Sequence, residues 1–286
     1  MEMNASVLYV YGIVRANFDA SRAPAGLDDV SVDVARQERG GERVAALVSR
    51  LPSQAYAPDV VEQNSGELGW LSPRAMAHDR VLTWAQEHGG VLPLPMFSMW
   101  ASDGALARSL GEQMPRLERV FERVSGADEF GLRVHRRDAV MLESIGDLDP
   151  AMAQLRADAA AASPGQRYLL ERKIADQGKS AVRAASHRMA NEIFDRLRAI
   201  AREAVARPLT PDPGSGRAAR VPEATLVLNG AFLVERQKLD AFRAAVGALV
   251  RELQPRGLSF DFTGPWPPYN FVGDADGAAL RGDGAR

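Results

Sequence analysis

The sequence predicts an α+β protein with two domains, and three observations lead to this prediction. The length of 286 residues suits about two domains. Segments with the alternation of β-strands are separated by segments with helical spacing. In the C-terminal half these segments follow the order strand, helices, strand, helix, strand, which resembles a modified ferredoxin-like domain with an inserted helical extension.

The first domain opens with a strand over residues 7–14 that is apolar on both of its alternating faces. A strand of this kind is covered on both sides, so we expect it in the centre of its sheet. Two further strand segments, 32–34 and 44–48, flank Gly40-Gly41. This arrangement predicts a hairpin.

A helix should follow, because Ser72-Pro73 offers an N-cap and then a proline in the first helical turn. We predict that it runs to about His88. The next segment starts as a strand, but Pro93 and Pro95 each remove a backbone donor. It should therefore lie at a sheet edge or be irregular.

The first domain closes with a second helix, predicted over 105–124, in which Pro115 is expected to break or kink the backbone. Ser125-Gly126 ends this domain, which we place at 1–126. The second domain, 127–272, begins with a strand near 130–136.

The helical insertion of the second domain covers about 150–222. An alanine-rich helix is predicted over 150–162, and Ser163-Pro164 starts a longer one. Residues 207–222 hold four prolines and a Gly-Ser-Gly step, which predict a loop. The long helix carries an apolar stripe typical of helix–helix core, formed by Val182, Met189, Ile193, Leu197, Ile200 and Ala204.

Three elements complete the second domain. Asn229-Gly230 is a hairpin signal, yet the alternation of apolar residues keeps one phase through it. We therefore predict one long strand over 226–234, with Gly230 at a close-packed or bulged point. A helix over 239–253 and a strand near Phe260 follow. Residues 273–286 have almost no large apolar side chains and are predicted to be disordered.

The most unusual feature is a run of three prolines and three aromatics near the C-terminus, here called the proline-aromatic segment (265–271). Proline has no backbone donor, so the preceding strand should stop at Gly264-Pro265. Two interpretations remain open: an internal clamp between domains, or an exposed ridge that docks another protein. As a clamp, Trp266→Ala should cost roughly 3–5 kcal/mol. The candidate residues are Pro265, Trp266, Pro267, Pro268, Tyr269 and Phe271.

A second apolar patch is formed by Met96, Phe97, Met99 and Trp100. Methionines beside aromatics adapt their shape easily, which suits either a core or a binding surface. Both uses stay open for this patch.

The composition excludes several classes of function. There is no cysteine, which removes disulfides, thiolate metal sites and cysteine catalysis. The net charge of −2 gives no general attraction to nucleic acid or to an acidic membrane. The start of the chain lacks the order of a signal peptide, and no apolar stretch approaches the roughly 20 residues of a membrane span. We expect a cytoplasmic protein.

No catalytic arrangement is evident. The four histidines have neither HxxxH nor HExxH spacing, and phosphate-binding and nucleophile-elbow motifs are missing. His78 is expected to have a structural or partly exposed role. The acidic pairs at Asp147 and Asp274 lack the later ligands of a calcium loop. We therefore expect neither enzymatic activity nor a cofactor or metal.

Several blocks of the chain resemble the gas vesicle protein F/L family (GvpF/GvpL). The segment 263–272, TGPWPPYNFV, is similar to the family's signature tail, and 9–14, YVYGIV, to its opening strand. Further collinear blocks are 46–49, 77–82, 91–94, 165–173 and 229–234. The block after Leu94 departs from the family, which commonly has an arginine and then phenylalanine-glycine there. No role of that arginine is carried over.

The resemblance implies a two-domain α+β fold and a role in building gas vesicles, the protein-walled organelles of buoyancy. It implies a minor vesicle component or accessory factor that binds the hydrophobic main shell protein (GvpA), and that other vesicle accessory proteins are further partners. The implied locations are the gas vesicle and the cytoplasm. A different class also stays open: a ferredoxin-like regulatory module that binds a small ligand between its domains.

Overall fold

The computed structural model describes residues 6–36, 43–209 and 224–273. The described residues form two compact units. The first contains those within Met1–Asp128 and Pro265–Arg286, and the second contains those within Glu129–Gly264. These divisions fall at 128/129 and 264/265, so residues 265–272 group with the first unit. The domain limits of 1–126, 127–272 and 273–286 stay a prediction.

The first unit is built on a five-stranded sheet with the order β2-β3-β1-β4, in which β5 also pairs with β1. The strand β1 (Ser6–Arg15) is internal, as its two apolar faces predicted. The predicted hairpin is confirmed, since β2 and β3 pair antiparallel; its connection, 37–42, lies outside the described residues. The remaining strands are β2 (Asp33–Ala35), β3 (Val44–Pro52), β4 (Leu92–Pro93) and β5 (Met99–Trp100).

Among its described residues this unit has three α-helices: α1 (Pro58–Asn64), α2 (Leu68–Glu87) and α3 (Asp103–Val124). The short strands β4 and β5 confirm the irregular segment predicted from Pro93 and Pro95. Pro115 lies inside α3, which continues through it.

The predicted start of α2 was wrong, because the helix begins at Leu68 and Pro73 lies inside it. Pro73 removes only the bond to the carbonyl of Gly69, which belongs to the exposed first turn. The first turn is held instead by Trp70, whose ring stacks on Phe97 at 5.4 Å between centroids. Tertiary packing therefore extends the helix past its local start signal.

The second unit contains a four-stranded sheet with the order β7-β8-β6-β9. Its strands are β6 (Ala127–Arg137), β7 (Glu203–Ala206), β8 (Ala224–Glu235) and β9 (Leu258–Trp266). Helices α4–α7 lie between β6 and β7 in the chain, and α8 lies between β8 and β9. This βαββαβ order confirms the modified ferredoxin-like domain with an inserted helical extension.

The helices of this unit are α4 (Asp138–Glu143), α5 (Ile145–Leu148), α6 (Pro150–Ala161), α7 (Pro164–Arg198) and α8 (Leu239–Leu253). Ser163 and Gln166 form the capping box that starts α7. The apolar stripe of α7 is core, as predicted, although Ile200 lies beyond the end of the helix and Ala204 belongs to β7. The strand β8 passes unbroken through Asn229-Gly230, as the alternation predicted.

The strand β9 corrects another prediction, because it passes through Gly264-Pro265 and ends at Trp266. It lies at the edge of its sheet, where a proline can turn its missing donor away from the ladder. Gly264 has φ +115°, and a Cβ there would lie 2.8 Å from the carbonyl oxygen of Glu129. Glycine permits this close approach of two backbones.

None of the helices in the described residues is both long enough and apolar enough to cross a bilayer. The loop predicted over 207–222 lies mostly outside the described residues, as does the tail after 273.

Candidate functional site

The proline-aromatic segment divides into enclosed and exposed side chains. Pro267, Pro268 and Phe271 are buried, with Phe271 at 0% exposure. Trp266 and Tyr269 keep 37% and 40% of their surface exposed. The large loss of stability expected for a buried aromatic therefore belongs to Phe271 and not to Trp266.

Two short turns produce this division. The backbone N–H of Tyr269 donates to the carbonyl of Pro267 at 2.7 Å, and that of Phe271 donates to the carbonyl of Pro268 at 3.0 Å. Each proline thus supplies an acceptor, which is the only backbone hydrogen-bonding group that it has. The turns place Tyr269 outward and Phe271 inward.

Below this segment, the first unit contains a cavity of about 440 Å³, here called the tail cavity. Its walls come from α2, from residues 92–96, from α3 and from the proline-aromatic segment. Leu92, Leu94, Leu117 and Val120 make much of the wall apolar. A mostly apolar cavity with a few placed polar groups is the usual form of a binding site.

The tail cavity is lined by one residue from each of the two sets of candidate residues that the sequence suggested. Tyr269 of the proline-aromatic segment and Met96 of the second apolar patch both line it, although 173 positions separate them in sequence. Trp100 is 2% exposed and therefore belongs to the core. Phe97 and Met99 are half-buried against the core of the first unit.

His78 of α2 forms the polar floor of the tail cavity. Its Nδ1 lies 2.7 Å from the hydroxyl of Tyr9, and the ring makes a backbone hydrogen bond with Leu94. Burial lowers the pKa of His78 to about 4 because the charged ring would lose its solvation. The imidazole is therefore neutral at neutral pH and serves as a fixed hydrogen-bonding group.

The same network fixes the segment that carries Met96. The backbone N–H of Phe97 donates to the Tyr9 hydroxyl at 3.4 Å, and Phe97 itself has φ +61°. A bulky residue is strained in this left-handed region. The Tyr9 hydrogen bond and the stacking of Phe97 on Trp70 hold it there.

Asp79, the next residue of α2, also lines the tail cavity and is exposed to solvent. It therefore lies at the opening. The hydroxyl of Tyr269 donates to its Oδ1 at 3.5 Å. The cavity wall covers part of the Asp79 carboxyl, and this partial desolvation raises its pKa, while the Tyr269 hydrogen bond offsets some of the rise.

Sequence reasoning did not place His78 or Asp79 in a binding site. The only signal for them was the resemblance of block 77–82 to the family, which carried no role. Within the described parts of the chain, His, Asp and Glu side chains form no group of three able to hold a metal ion.

Comparisons with known proteins agree with this fold along the chain. The family model described as gas vesicle synthesis protein GvpL/GvpF matches residues 7–273. Gas vesicle protein L of Streptomyces sp. (strain CB03234) is 27% identical over 272 residues, covering 94% of this chain and 93% of the relative. Gas vesicle protein F of the same strain is 30% identical over 269 residues, covering 92% and 98%.

Solved structures show the same fold. The crystal structure of GvpF from Anabaena sp. PCC7120 matches with a TM-score of 0.66 at 19% identity, covering 94% of this chain and 99% of that one. GvpF from Microcystis aeruginosa matches with a TM-score of 0.63 at 17% identity. Because the family model spans nearly the whole chain, the protein belongs to the gas vesicle GvpL/GvpF family.

Proposed function

We propose that this protein is a non-enzymatic gas vesicle assembly factor that binds the main shell protein (GvpA) and prevents its aggregation while vesicles nucleate and grow. The match to the family over residues 7–273 carries this proposal. Other vesicle accessory proteins are further partners in it.

The physical need for such a factor follows from the shell. A subunit that faces gas on one side exposes apolar surface before it polymerises, and exposed apolar surface promotes aggregation. A folded partner that covers roughly 1,600 Å² of total surface holds the subunit until a growing edge accepts it. This task needs a binding surface and no bond-making chemistry.

The first unit offers a surface for this task. On α2, residues 68, 72, 75, 76 and 79 share one helical face, since the last four follow residue 68 by four, seven, eight and eleven positions, which are sums of three and four. Leu68 and Met76 on this face are 75% and 69% exposed, and Ala75 and Asp79 line the tail cavity. This face thus carries two exposed apolar side chains and reaches an apolar cavity, which supports binding of an apolar segment.

Co-expression with the shell protein tests the proposal. The shell protein should stay in the soluble fraction and co-purify with this chain, whereas alone it should pellet. Deletion of the gene in a vesicle-forming strain should abolish flotation or reduce it sharply. An insoluble shell protein in the presence of this chain, together with normal vesicles after deletion, would refute the proposal.

A small-ligand role is the second candidate. The tail cavity of about 440 Å³ favours it, since ligand sites commonly have 300–1,000 Å³. This cavity lies within the first unit. Native mass spectrometry of purified protein separates the two roles, because a retained metabolite supports a ligand module and a bare chain supports the assembly factor.

A further inference from the structure

Asp79 gives the opening of the tail cavity a negative charge. It is exposed, it lines the cavity, and its carboxylate accepts one long hydrogen bond, from Tyr269 at 3.5 Å. Across residues 6–36, 43–209 and 224–273, no ion pair includes Asp79. Within the described residues, no basic side chain therefore balances this charge directly.

An occupant of the cavity changes this balance. An apolar group that enters displaces water from the opening, which costs the ionised Asp79 part of its solvation. A positive charge on the occupant compensates for that loss, whereas a carboxylate adds repulsion. The position of Asp79 at the opening therefore favours an occupant with a positive charge beside its apolar part over one with a negative charge there.

Arg116 is the opposing charge in the same cavity. It is half-buried, its Nη1 donates to Oε1 of Gln113 at 3.3 Å, and its Nε is shielded from solvent. Asp79, in contrast, is exposed at the opening. We therefore assign the charge preference to Asp79, and a negatively charged probe tests this assignment directly.

We infer that the tail cavity selects apolar segments that carry a basic side chain, with Asp79 as the counter-ion. This inference rests on the proposed function, in which the segment belongs to the shell protein. It names the chemistry of the contact: an aliphatic or aromatic side chain in the cavity, next to a lysine or arginine that reaches Asp79.

Three eight-carbon probes test the selection on the full chain: octylamine, 1-octanol and octanoate. We expect octylamine to bind about fivefold more tightly than 1-octanol, which is the effect of a partly exposed ion pair, and octanoate to bind most weakly. Titration calorimetry at pH 7.5 measures the three affinities.

Substitution of Asp79 isolates its contribution. Asp79→Asn should bind octylamine and 1-octanol equally, because the charge that distinguishes them is gone, and Asp79→Glu should keep the preference. Asp59→Asn on α1 removes an exposed acid that does not line the cavity, so it should leave all three affinities unchanged. Thermal unfolding verifies that each variant folds.

The outcomes separate the inference from the proposed function. Three results would overturn the inference, even if the shell protein is still captured. They are equal binding of octylamine and octanoate, a preference for octylamine that survives Asp79→Asn, and no binding of any probe. Loss of shell-protein capture with the charge preference intact would instead overturn the proposed function alone.

Discussion

Phe271 and Trp266 lie five residues apart in the proline-aromatic segment, yet only Phe271 is enclosed by the protein. We predict that Phe271→Ala lowers the free energy of unfolding by about 3–5 kcal/mol, because it removes a fully buried ring and leaves a cavity. Urea denaturation followed by circular dichroism measures the loss.

Trp266→Ala is the matched control for this prediction. Its ring is 37% exposed, so less apolar surface returns to water when it is truncated. The loss should be clearly smaller than for Phe271→Ala. An equal or larger loss would mean that Trp266, and not Phe271, anchors the segment.

His78 makes the stability of the protein depend on pH. Burial lowers its pKa from 6.5 to about 4 in the folded state, so the unfolded chain binds a proton that the folded chain does not. Stability is therefore unaffected by His78 above about pH 6.5, and it decreases as the pH falls from 6.5 towards 4. Over that range we predict a loss of about 3 kcal/mol from this group.

The variant His78→Gln removes the titration while keeping a polar side chain beside Tyr9. Unfolding free energies measured at pH 7 and pH 4.5 should decrease less in this variant than in the wild type. If the two proteins lose stability equally on acidification, the neutral buried histidine is not the cause.

The residues of the candidate site were only partly predictable from the sequence. Tyr269 and Met96 stand out by composition, because aromatics and methionines near prolines are recognisable locally. Asp79 does not, since its role depends on a contact with Tyr269 across 190 positions. A single sequence carries no direct signal for such a contact.

Among the elements, the strand β8 leaves no room for a side chain at Gly230. A Cβ at this position would lie 2.7 Å from the ring of Phe232, which is fully buried and has little room to move. We predict that Gly230→Ala destabilises the second unit by about 1–3 kcal/mol. Thermal unfolding of the full chain measures the change.

Gly111 in α3 provides the contrasting case, because a Cβ there meets open space. Alanine also favours the helix over glycine by up to about 1 kcal/mol. Gly111→Ala should therefore raise the melting temperature, whereas Gly230→Ala should lower it. Changes of the same sign in both variants would contradict the packing explanation.

Elements with strong local patterns were predicted well. The helix α8 has its predicted bounds, because its apolar stripe and its stop signals agree. The start of α2 and the end of β9 were missed, because tertiary packing and an edge position override the local effect of proline. Local chemistry thus determined the element types better than their ends.

At the scale of the whole molecule, the four most exposed large apolar residues of the described ranges form two pairs. Leu68 and Met76 lie on α2 of the first unit, and Tyr168 and Leu169 lie on α7 of the second. Only the first pair lies on a helix that lines the tail cavity. The proposed function therefore assigns shell-protein binding to the first pair.

We predict that the double variant Leu68→Gln/Met76→Gln captures less shell protein, by at least about tenfold in co-purified amount, a loss typical of two anchoring contacts. The double variant Tyr168→Gln/Leu169→Gln is the control and should capture the wild-type amount. Both pairs are exposed and glutamine is a good helix former, so stability should change little in either case. If only the α7 variant loses capture, the binding surface lies on the helical insertion, and the assignment to the tail cavity fails.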